Sequence, residues 1–424
     1  MKKCLVVFLT VCLLLTGCGG VSRDLMKDVK PSDEGGFIAV HDPLSDGFDP
    51  ETDGIWENSL VADFGMRLFQ ASFQEDQNTL ISPVSILAAL AMTANGAEGE
   101  TLTQMETVLG QSRDALNSWH KYGTLYDDDI LASANAIWFR KDTGFAAEEA
   151  FLQTNADYYG AGIYQAPFDG TTVKEINNFV EENTKGMIKE VLQEIPSGAV
   201  LYLVNALSFD AKWEETYDEY QIWEGIFTKD DGTQQEVELM YSEECWYYEN
   251  EVCTGFRKHY KEGEPNRFAF VALLPKEGVS LRNLVESLDG KQLQSFLAQP
   301  EGVKVDAAIP KFETEFDTQM SEVLVKMGMT DAFDESVADF SGLGSYKNGN
   351  LFISSVLHKT FISVAEQGTK AGATTVVELA PTAAPPGEPE EIKQVILDRP
   401  FLYMIVDTSS NTPIFIGTLM DAEK

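Results

Sequence analysis

Between Thr369 and Pro389 the chain changes character abruptly. Alternate positions Thr369, Ala371, Ala373, Thr375, Val377 and Leu379 are all small or apolar, and charge falls only on the intervening set Lys370, Gly372, Thr374, Val376 and Glu378. Period-2 alternation with charge on one face reads as a half-buried strand. It leads directly into Ala380-Pro381-Thr382-Ala383-Ala384-Pro385-Pro386-Gly387-Glu388-Pro389. There proline removes backbone donors and the small residues offer little to pack, so this half reads as an exposed loop. On these residues alone the plain reading is an edge strand followed by a disordered loop.

What surrounds that segment is a folded protein. The 424 residues carry 31 Lys+Arg against 68 Asp+Glu, a formal charge of 31 − 68 = −37. A polyanion without a compensating basic stripe is a poor partner for nucleic acid. With 44% hydrophobic and 11% aromatic residues, collagen-like and wholly disordered classes drop out, and the length allows one large or two ordinary domains.

The N-terminus points outside the cytoplasm. Met1-Lys2-Lys3 is followed by an apolar run, Cys4 to Leu15, and then Leu15-Thr16-Gly17-Cys18. The run is shorter than the roughly 20 residues a membrane-spanning helix needs and reads as a secretory signal. Its closing four residues resemble the bacterial lipobox, whose cysteine is acylated with diacylglycerol and becomes the new N-terminus. Residues 1–17 are then the signal and Cys18 the lipid anchor; the alternative is an ordinary signal peptide with a chance cysteine. Residues 18–54, rich in Gly, Asp, Ser and Pro, read as a flexible tether, and 55–424 as one domain. The expected location is extracytoplasmic, lipid-anchored at a bacterial surface or secreted, with the lipid as the sole membrane contact.

Removing Cys4, Cys12 and Cys18 from the count leaves Cys245 and Cys253. Outside the cytoplasm a disulfide is allowed, and a spacing of eight could place them on facing positions of a hairpin centred near Glu249. Two reduced, partly buried thiols are the other reading. No CxxC pair supports a structural zinc site.

The domain opens with helical patterns. Leu60, Phe64 and Leu68 mark a first amphipathic helix. Ser82-Pro83 reads as N-cap and first turn of a second that stops near Gly96, and Thr101 to Gln104 as a capping-box start for a third closed by Gly110. Strand-like runs follow at Leu131–Phe139, Val200–Phe209, Phe268–Leu274 and Val303–Ile309, and Phe401–Val406 with Pro413–Leu419 reads as a hairpin. Helices first and strands later predict a mixed α+β domain with largely antiparallel sheets.

Signatures of catalysis are missing. The histidines are His41, His120, His259 and His358, and neither HExxH, GxSxG nor a P-loop occurs. Carboxylates are so numerous that a solvated acidic surface accounts for them. The sequence nominates no catalytic residue, metal ligand or cofactor, and no enzyme activity.

A series of separated motifs carries a family resemblance. Asn78-Thr79-Leu80-Ile81-Ser82-Pro83-Val84-Ser85-Ile86 is followed by Ala89 to Met92 and Gly96 to Thr101. Then come Asn135-Ala136, Ile176-Asn177, Thr184-Lys185-Gly186, Leu203-Val204-Asn205-Ala206 with Phe209 and Trp213, and Leu274-Pro275. His358-Lys359, Glu366-Gln367-Gly368-Thr369-Lys370-Ala371, Arg399-Pro400-Phe401 and Phe415-Ile416-Gly417 complete the order. From about Trp56 to Asp421 the chain resembles the serpins.

The resemblance implies a metastable fold of three β-sheets and eight or nine helices with an exposed reactive centre loop, here about 367–399. A target protease cleaves the loop, which inserts as a new strand into the central sheet and carries the acyl-enzyme to the far pole. Serpin loop insertion is itself a standard example of strand addition and strain release. Gly368, Thr369, Lys370, Ala371, Gly372, Ala373, Thr374 and Thr375 match the hinge; Lys370 stands where an acidic residue is common, with its side chain expected in solvent. Ser82, Ser85, Asn205 and His358 match the shutter, and Trp213 the breach where insertion begins. Counting 17 residues from Glu366 selects Thr382-Ala383 as the reactive bond, with Ala383-Ala384 the runner-up. These small side chains imply elastase-like serine proteases as partners, with cysteine proteases a second class, for a monomeric inhibitor. A noninhibitory surface-binding module is the alternative.

Overall fold

The computed structural model describes residues 22–32, 58–123, 130–141, 144–261, 267–347, 349–369 and 392–423. Cys18, hinge residues Lys370 to Thr375, and Thr382, Ala383 and Ala384 lie outside them.

One sheet of eight strands runs in the order Arg23–Asp24, Gly162–Ala166, Leu131–Arg140, Leu201–Phe209, Ser355–Ala365, with Phe312–Gln319 on the far side of the last and Gly368–Thr369 beside Ala211–Lys212 at one end. Both faces are covered. On strand Leu201–Phe209, Leu201, Leu203, Leu207 and Phe209 join the main core, while Tyr202, Val204 and Ala206 pack in a second core with Ile176 and Val180 of helix Gly170–Asn183. Every residue of this strand is buried, as a central strand sandwiched between layers requires.

The remaining sheets share one strand. Gln234–Glu249 pairs through Leu239 to Glu244, and again at Trp246 and Tyr247, with Glu301–Pro310, and through Trp246 to Glu249 with Cys253–His259 on its other edge. A register shift between Gly302 and Val305 marks the break. On one side lies a small sheet completed by Ile222–Thr228 and Lys393–Ile396; on the other, Phe268–Pro275, Phe401–Asp407, Thr412–Leu419 and Thr79–Ile81. With nine α-helices among the described residues, this is the mixed α+β, three-sheet architecture that the resemblance implies.

Three expectations need correction. Residues 22–32, placed in the flexible tether, lie on the body: Arg23 and Asp24 pair antiparallel with Gln165 and Tyr164, and Leu25 and Met26 pack against the core. An exposed sheet edge captured this polar segment because pairing needs only backbone groups. The third helix begins at Gly99, not at Thr101, and its N-cap Glu98 makes no side-chain cap. The cysteine hairpin turns beyond Glu249: Thr254 pairs with Glu249 and Arg257 with Trp246, and Asn250 Oδ1 accepts from the N–H of Val252 and Cys253. That side-chain turn moves the centre of the hairpin, so Cys253 is buried, Cys245 is exposed, and both are free.

Candidate functional site

The seam of the eight-stranded sheet lies between two parallel strands. Ser355 to Phe361 pair with Tyr202 to Ser208, and beyond Phe361 the strands part. Into that gap fits Gly368–Thr369, antiparallel to Val364–Ala365 on one side and to Ala211–Lys212 on the other. Glycine is required at the first position, because a Cβ there would stand 2.2 Å from the Ala211 carbonyl oxygen and 2.6 Å from Lys212 Cα.

Beneath the seam, strand parity brings polar side chains to the core face. Asn205 shares the face of Leu203 and Leu207, and His358 that of Val356 and Ile362. Helix Pro83–Ala94 is capped by Ser82, whose Oγ accepts from Ser85 N–H, and this turn presses against them. Ser82 N–H donates to His358 Nε2 at 3.2 Å, so the ring proton sits on Nδ1, which donates to Asn205 Oδ1 at 2.7 Å. Asn205 Nδ2 donates to the Ser85 carbonyl at 2.8 Å and to Asn135 Oδ1 at 2.6 Å. Complete burial of the imidazole holds its pKa down at about 3, so His358 is neutral. All four residues expected at the shutter therefore meet in one satisfied network.

At the open end, Trp213 is fully buried and donates Nε1–H to the Ala365 carbonyl at 2.8 Å. Its backbone N–H reaches the Gln367 carbonyl, and Tyr217 N–H that of Glu366. The indole stacks on Tyr260 at 4.5 Å, and Tyr260 OH shares a hydrogen bond with Thr369 Oγ1. Lys258 Nζ lies 4.6 Å from the Tyr217 ring centre and pairs with Glu244 at 3.0 Å. Burial raises the Glu244 pKa against the pull of Lys258. On the outer side Lys311 bridges Glu366 and Glu238.

The serpin family model, described as a serine protease inhibitor, matches residues 59–422. This chain is a serpin. An uncharacterized serpin-like protein of Thermococcus kodakarensis is 32% identical over 374 residues, 86% of this chain and 85% of the relative. Human Serpin B9 is 30% identical over 84% of this chain and 96% of its own. The native-state crystal structure of the thermophilic serpin Tengpin superposes with a TM-score of 0.84 at 43% identity, covering 94% of this chain and 99% of that one.

Several residues of this serpin's site escaped the sequence reading. Asn135 was legible only as part of a motif, and Tyr260 carries no signal, being one residue of an unremarkable strand end whose importance comes from contact with Thr369, 109 positions away. The Lys258–Glu244 pair is equally silent, since a charged residue on a strand ordinarily reads as solvated.

Proposed function

We propose that this serpin is an inhibitor that traps its target as an acyl-enzyme by inserting its loop between strands Leu201–Phe209 and Ser355–Ala365. The observation that carries the reading is the seating of Gly368–Thr369 at the head of that seam, with Thr369 wholly buried. In this reading the protease supplies the nucleophile. The serpin supplies a strand whose small alternate side chains match the buried face, and free energy released when seven parallel pairs give way to antiparallel ones on both sides. Ser82, Ser85, Asn205 and His358 act as the shutter, Trp213 as the breach, and Gly368 through Thr375 as the hinge.

The proposed reactive bond is Thr382-Ala383, with Ala383-Ala384 the runner-up, and elastase-like serine proteases are the targets, with cysteine proteases second. The lipobox-like sequence supports acylation at Cys18 and anchoring at the surface, where the serpin acts as a monomer. Incubation with pancreatic elastase tests the inhibitory reading. A covalent complex that survives boiling in detergent supports it; cleavage without complex, or no reaction with a panel of serine and cysteine proteases, overturns it.

A further inference from the structure

The N-terminal segment is fastened along its length. Leu25 N–H donates to the Ile163 carbonyl at 2.8 Å, continuing the two-residue ladder. Ser22 hydrogen-bonds to Glu175, Ser32 donates to Asp157 through both its N–H and its Oγ, and Gln153 binds the Lys30 carbonyl. Leu25 and Met26 add apolar contact.

The direction of this clip is fixed by register. Arg23 lies opposite Gln165, Gln165 opposite Phe139, and Phe139 opposite Leu201. Leu201 begins the strand whose other end, Phe209, leads to the hinge and Trp213. Ser22 thus leaves the body at the pole opposite the hinge, and Cys18 is 22 − 18 = 4 residues further, at most about 14 Å of chain. Without the clip, the 58 − 18 = 40 residues from Cys18 to helix Asn58–Ser72 would form a coil with a mean span of about 35 Å and no preferred attachment point.

We propose that the clip seats the lipid-anchored molecule on the bilayer with the pole opposite the hinge facing the membrane and the hinge facing outward. This rests on the lipid-anchor reading of Cys18. The partner surface is a phospholipid bilayer, and the orientation is set by where the clip lets the chain go. Loop insertion along the same axis carries an attached protease towards the anchored pole.

The test attaches a lipid chemically to Cys18 of the mature chain, residues 18–424, carrying Cys245→Ser, so that it holds whether or not cells acylate the thiol. An azide-bearing residue bears a donor dye at Ser197, exposed in the turn beside Arg140 at the anchored pole, or at Glu215, exposed beside Trp213. On phosphatidylcholine vesicles containing an acceptor lipid, the Ser197 donor should be quenched at least twofold more than the Glu215 donor. Leu25→Asp with Met26→Asp should erase the difference. Equal or reversed quenching with the clip intact, or a difference that survives the double substitution, overturns the proposal. Failure of the lipid-anchor reading shows separately, as an aqueous-phase protein when cells expressing intact Cys18 are extracted.

Discussion

His358 and Asn205 stand directly opposite each other in the parallel ladder and join side chains at 2.7 Å, so one hydrogen bond crosses the seam beneath the backbone pairs. Because His358 Nε2 accepts from Ser82, protonation there would set two donors face to face. The folded pKa of about 3 lies below the unfolded value near 6.5. Between these values the unfolded chain binds the extra proton, so this contribution is complete above pH 6.5 and is lost as pH falls towards 3. One proton corresponds to roughly 1 kcal/mol per pH unit in that window. His358→Gln removes the titration. The urea-midpoint advantage of the wild type over this variant should shrink between pH 7 and pH 5, and an advantage independent of pH counts against the network as drawn.

Thr369 lies buried at the head of the seam with its hydroxyl on Tyr260. Thr369→Arg would bury an unpartnered guanidinium at a cost of several kcal/mol. Insertion should slow relative to deacylation, turning inhibitor into substrate: cleaved serpin accumulates and the detergent-stable complex disappears. Thr369→Val loses only the hydroxyl contact, about 1–2 kcal/mol, and should keep a stoichiometry near one. Unchanged trapping by the arginine variant would contradict insertion.

Trp213 closes the same site through its Nε1–H to Ala365. Trp213→Phe keeps an aromatic ring against Tyr260 but leaves the buried carbonyl without that donor, a loss of about 1–3 kcal/mol. The expected result is a lower thermal midpoint and faster inactivation on storage, measured as loss of trapping capacity. A variant as stable and as durable as the wild type would remove Trp213 from the site.

Much of this was legible because local rules and global fold agree. Ser82-Pro83 starts its helix as read, and Gly110 closes the next with a φ of 87° and its N–H on Glu106. Strands at Leu131, Leu201, Phe268 and Glu301 and the closing hairpin fall within a residue or two of expectation. What local pattern could not give is partnership between distant segments. The seam is parallel although most ladders are antiparallel, and Tyr202 meets Ser355 across 153 positions. The clip was unreadable for the same reason: Arg23 and Asp24 have no strand pattern of their own and are ordered by the edge they meet.

The cysteines give a simple chemical check. Cys253 is buried, with Sγ on Asn250 Oδ1, and burial raises its pKa to about 12, whereas Cys245 is exposed. In protein blocked at Cys18, a thiol reagent at pH 8 should modify Cys245 readily and Cys253 only on unfolding. Two unreactive thiols that appear only after reduction would restore the disulfide reading.

The reactive bond can be argued from length and chemistry together. Glu366 through Thr382 is 382 − 366 + 1 = 17 residues, and about 3.3 Å per residue makes a strand of roughly 55 Å, enough to run from the hinge past Leu201 to the far pole. Cuts at Ala380-Pro381 and Ala384-Pro385 are disfavoured because the proline that follows lacks an amide hydrogen and clashes in most protease clefts. Pro381-Thr382 would need proline in the specificity pocket. Thr382-Ala383 remains, with Ala383-Ala384 next, and both offer a side chain suited to a shallow apolar pocket. No basic residue lies between Glu378 and Glu391, so trypsin-like enzymes should neither cut nor be trapped there. Mass spectrometry of the C-terminal peptide released from the elastase complex decides between the bonds: a new N-terminus at Ala383 is expected and Ala384 marks the runner-up. A peptide beginning before Ala380 would leave a strand too short for full-length insertion and would overturn the count from Glu366.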